Sequence, residues 1–70
     1  MTYTIARQIV GDIHISIEQD KFESAYHVEA VKVDDIGNGY LLKSGTYPTI
    51  DKATARYKAL IRMAKKGELN

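Results

Sequence analysis

The segment DIHISIEQ, residues 12–19, constrains this chain more than any other part of it. Ile13, Ile15 and Ile17 alternate with Asp12, His14, Ser16 and Glu18. A period of two sends successive side chains to opposite faces of a strand, so one face is a row of isoleucines and the other is polar. The isoleucine row needs a covering layer, and residues 50–66 supply one. There Ile50, Ala53, Tyr57, Leu60, Ile61 and Ala64 recur at helical spacing and gather in a single apolar stripe. Thr49, after Pro48, is placed as the N-cap. Asp51 falls in the first turn, Lys65 and Lys66 in the last, and Gly67 just beyond the end.

Between these two elements the pattern predicts further strands. AYHVEAVKVDD follows the break QDKFES, the glycine-rich DIGNG reads as a turn, and YLLKS makes the next strand. TYTIARQ, before Gly11, reads as an earlier one. If Ile17 faces Tyr26, then Ile15 faces Val28 and Ile13 faces Ala30. The opposite face then pairs Ser16 with His27 and His14 with Glu29. Both faces come out chemically consistent. Continued onward, this register puts Tyr40, Leu42 and Ser44 inside and Val31, Val33 and Leu41 outside. A bulge near Ala30–Val31 would instead turn the two valines into the core. The fold class is therefore α+β: an antiparallel meander of three or four strands within residues 2–45, with one C-terminal helix packed across one face.

Seventy residues with 44% hydrophobic and 27% charged side chains suit one small domain, residues 1–70. The absence of cysteine excludes a disulfide framework and a thiolate zinc site, and suits a reducing cytoplasm. MTYTIARQIV has neither the basic start nor the continuous apolar core of a signal peptide, so a cytoplasmic protein with no membrane partner is expected. Net charge is only +1, but residues 1–49 hold four basic against seven acidic side chains, and residues 50–70 hold six basic against two acidic. That asymmetry hints at an anionic partner for the second half.

The stretch GTYPTIDKATARYKAL, residues 45–60, resembles the last strand and helix of the three-strands-plus-helix DNA-binding domains of plant ethylene-response factors and of the arm-binding domains of phage integrases. Gly45, Tyr47, Thr49, Ala53, Ala55 and Tyr57 carry the resemblance. It implies a DNA-binding fold whose sheet enters the major groove through outward arginine and tryptophan side chains. Here the outward strand positions hold Asp12, His14, Ser16, Glu18, His27 and Glu29. Carboxylates there repel phosphate, so no DNA-reading residue carries over.

Three surfaces remain as candidates. Val31, Val33 and Leu41, rimmed by Glu29 and His27, would form an outward apolar patch of the kind that marks a partner site. Ala55, Ala59 and Met63 make an outward helix ridge on which a second helix could dock; alanine is also simply the best helix former for a solvated surface. Lys52, Arg56, Arg62 and Lys66 could grip a nucleic-acid backbone, although basic side chains around a helix also serve solubility. His14 and His27 with Asp12 or Glu29 suggest a metal site, and Ser16 beside His27 a nucleophile and base. The flat, open face offers neither an enclosing pocket nor oxyanion donors, so no catalytic and no metal residue is assigned. The expectation is a non-enzymatic binding module without cofactor, a bacterial or phage accessory protein that associates with another protein or with itself. The alternative is a nucleic-acid-binding protein using the basic helix.

Overall fold

The isoleucine alternation becomes the second of four strands: β1 (Thr2–Val10), β2 (Ile13–Asp20), β3 (Tyr26–Val33) and β4 (Gly39–Tyr47), followed by the helix α1 (Ile50–Lys65). The computed structural model describes residues 2–20, 22 and 24–69. The strands lie side by side in chain order and every neighbouring pair is antiparallel, giving the α+β meander expected from the sequence. The last strand runs two residues beyond the expected limit, to Tyr47.

The first hairpin is tight. Val10 pairs with Ile13, which leaves Gly11 and Asp12 as a two-residue connection. Gly11 has φ +63°, a conformation that a Cβ makes costly and that glycine adopts freely at the head of such turns.

The helix lies over β2 and β3. Ile13, Ile15, Ile17, Val28 and Ala30 from the sheet meet Ala53, Leu60 and Ala64 from α1 in a closed apolar core. The Thr49 hydroxyl oxygen caps the helix by accepting from the backbone N–H of Lys52 at 3.2 Å. At the other end the Glu68 N–H donates to Met63 O at 2.8 Å and the Gly67 N–H to Ala64 O at 3.1 Å, with Gly67 at φ +75°. This is a Schellman closure, and it turns the tail so that Leu69 drops into the core at 3% exposure. Met63 packs against the core, while Ile50 is 38% exposed.

Two details of register differ from the sequence expectation. Ile17 pairs with Val28, Ile15 with Ala30 and Ile13 with Lys32, two residues from the pairing expected. A shift of two keeps every side chain on its face, which is why alternation alone cannot detect it. The true register follows from β2 running on to Asp20, so that Gln19 pairs with Tyr26. The second difference is a bulge. Ala30 pairs with Lys43 but Val31 with Leu41, so the extra residue is Leu42 on β4. Leu42 packs on the core, and the face reverses after it. Ser44 therefore stands opposite Glu29 on the outer side instead of inside. Val31 and Val33 stay outside, because the surplus residue belongs to the neighbouring strand.

Candidate binding face of the sheet

One side of the sheet carries α1. The registers define three ladders of side chains across the other. Ile9, His14, Val31 and Leu41 form one, Arg7, Ser16, Glu29 and Ser44 the next, and Thr4, Glu18, His27 and Thr46 the third. The first ladder is mostly apolar, with Ile9 56% and Leu41 61% exposed, and Val33 extends it by one further position on β3. The second is ionic: a cation on β1 and an anion on β3 on either side of Ser16, itself buried. Thr4, Arg7, His14, Ser16, Glu18, Glu29, Val31 and Val33 line a shallow concavity of about 280 Å³ in this face.

Hydrogen bonds stiffen the polar part. Arg7 Nη2 lies 3.2 Å from His14 Nδ1. A guanidinium only donates, so Nδ1 is the acceptor and the proton of the neutral imidazole sits on Nε2. His27 Nδ1 and Thr46 Oγ1 are 3.1 Å apart across β3 and β4. At the rim, Lys32 Nζ and Asp12 Oδ2 are 3.9 Å apart with both side chains solvated, a contact that contributes little. In the β3–β4 turn the Asp34 carboxylate accepts from the N–H groups of Asn38 at 2.8 Å and Ile36 at 3.1 Å, and from the Tyr40 hydroxyl at 3.2 Å. The Asn38 amide is the chief reason its carboxyl titrates below its ordinary value of 3.8.

Of the residues expected to bind a partner, Val31, Val33, Leu41, Glu29 and His27 come together on this face. The three helix positions do not form one outward ridge. Ala55 is exposed and Ala59 half-buried, but Met63 packs against the core. Of the basic side chains, Lys52, Arg62 and Lys66 are exposed and Arg56 is half-buried. Lys58 and Lys65 join the exposed set on the side of the helix away from the sheet.

The constellations considered for chemistry come apart. Ser16 faces Glu29 and not His27, while His14 and His27 lie two ladders from each other. Among the described residues no group of three His, Cys, Asp or Glu side chains is arranged to hold a metal ion, and no helix is long and apolar enough to cross a membrane.

Sequence reasoning missed Arg7 and Ile9, which complete the face on β1. A bulge at Ile5, between Thr4 and Ala6, reverses the facing of this strand midway. Thr2 and Thr4 therefore face out with Arg7 and Ile9, and no single period runs along it. The signal available was the following hairpin, whose Gly-Asp turn fixes Val10 opposite Ile13 and so Ile9 opposite His14. Compared with protein-family models, with curated proteins and with solved structures, the chain matches none of them.

Proposed function

We propose that this protein is a non-enzymatic binding module that works in a reducing cytoplasm by protein–protein association through the outer face of its sheet. The supporting observation is the apolar ladder Ile9–Val31–Leu41, which crosses three of the four strands on the face opposite the helix. An apolar strip beside ionic groups, interrupted here by the half-buried His14 on β2, is a composition that marks many docking surfaces. Site-specific photocrosslinking in cells tests this reading. A photoreactive residue at position 41 should give a discrete protein adduct that disappears when Val31→Asp is added. An adduct insensitive to Val31→Asp, or adducts only from position 62 on the helix, would contradict it.

The second reading is contact with a nucleic-acid backbone through Lys52, Arg56, Arg62 and Lys66. It is supported by the exposed side chains of Lys52, Arg62 and Lys66, which with Lys58, Lys65 and the half-buried Arg56 are spread around the solvent side of α1. Its signature is binding to random duplex DNA that weakens steeply with salt and is abolished by reversing Arg56 and Arg62 together.

A further inference from the structure

We infer that the occupant of the outer sheet face is a second copy of this chain, packed face to face about a two-fold axis that runs parallel to the strands between β2 and β3. The inference rests on the reading of this face as a docking surface and specifies its partner.

The ladders distinguish the possible operators. Two sheets stacked at the usual spacing of about 10 Å can be related by an in-plane two-fold either parallel or perpendicular to the strands. A perpendicular axis that keeps all three ladders covered passes through the second one, lays β1 on β1 and exchanges the first ladder with the third. Arg7 then meets its own copy, Glu29 meets its own copy, and the apolar ladder falls on Thr4, Glu18 and His27. A parallel axis lays β1 on β4 and β2 on β3 and keeps each ladder on itself. Ile9 then covers Leu41 of the second copy, and Val31 covers the His14 ring. Arg7 lies one strand from the other copy's Glu29, within reach of its long side chain, and Glu18 stands over His27.

The face is thus self-complementary in both hydrophobicity and charge under one operator and clashes under the other. Size agrees. The two longer extents of the molecule, 34 and 24 Å, bound a face on the order of 800 Å², the area each partner gives to a standard interface.

The test uses purified full-length chain and reads oligomeric state by sedimentation. Wild type should be dimeric and Leu41→Asp monomeric. Arg7→Glu and Glu29→Arg should each dimerise at least about tenfold more weakly than wild type, because like charges then face each other across the interface. An equimolar mixture of these two variants should recover the dimer. In the heterodimer the introduced carboxylate of one copy meets the introduced guanidinium of the other, and the remaining Arg7 meets the remaining Glu29. The mixture holds the same chains as the separate samples, so a folding defect cannot produce the recovery.

A dimer unaffected by Leu41→Asp, or charge variants that stay folded by circular dichroism and do not recover on mixing, would overturn the inference; pairing through the β1 edge would give that result. A wild-type chain that stays monomeric overturns the second copy as occupant, while a Val31-dependent adduct to a different protein would leave the docking face standing.

Discussion

At the scale of single residues, a few side chains hold this small domain together. Leu60 is 1% exposed and sits where the helix meets the isoleucines of β2. Leu60→Ala removes buried methyl groups and leaves a cavity, a change that costs about 3 kcal/mol. A domain of this size has only roughly 5 kcal/mol in total. The variant is therefore expected to melt far below wild type in calorimetry or to be partly unfolded at room temperature. Thr49→Ala removes one cap bond and should cost about 1 kcal/mol, lowering Tm by roughly 4–8 °C in the same experiment.

Asp34 makes a pH prediction. Its carboxyl is held below its ordinary value of 3.8 by the Asn38 amide first, with Tyr40 and Ile36 contributing. A depressed carboxyl adds stability above its unfolded value and loses it as pH falls through the lower folded value. The β3–β4 turn should therefore loosen below about pH 3.8, and Asp34→Asn should flatten the dependence there. Comparing the pH profiles of thermal melting for the two proteins checks this.

At the scale of elements, legibility followed regularity. β2 and the middle of β3 keep strict alternation, and α1 keeps one stripe between an N-cap and a closing glycine, so their type and most of their buried faces could be read directly; Met63, read as outward, packs against the core. The pairing of β2 with β3 was displaced by two because alternation carries parity and not absolute register. The bulges at Ile5 and Leu42 were illegible for a related reason. Each adds one residue to one strand, and only the partner strand shows which residue is surplus. Hence Ser44 was assigned inward, and Arg7 and Ile9 were not assigned at all.

Gly67, in contrast, announced its role. With φ at +75° it closes the helix and directs Leu69 into the core. Gly67→Ala is predicted to cost about 1 kcal/mol through the left-handed conformation alone, measurable by urea denaturation. An unchanged midpoint would show that the helix end can rebuild without it.

At the scale of the whole molecule, the chain folds into two unlike outer surfaces. One is the exposed side of α1, rich in lysine and arginine. The other is an open sheet face with an apolar ladder beside an ionic one. The charge split between the halves of the chain was visible in the sequence, and so was most of the sheet face on β2 and β3 with Leu41; Arg7 and Ile9 on β1 and Ser44 on β4 were not. That face is assembled from four strands whose registers include two bulges. The resemblance of residues 45–60 to a DNA-binding corner concerns residues that build the strand-to-helix junction. There the Tyr47 phenol lies close over Gly45 and Thr49 caps the helix.

The claim at the centre is that this chain meets a second copy of itself through the sheet face. A dilution series of backbone amide NMR spectra of the isolated chain tests it most directly, since each amide reports its own surroundings. Concentration-dependent shifts are expected, centred on Ile9, His14, Val31 and Leu41, with the amides of Lys58, Arg62 and Lys65 unmoved. Shifts confined to the helix, or spectra that do not change with concentration, would contradict it.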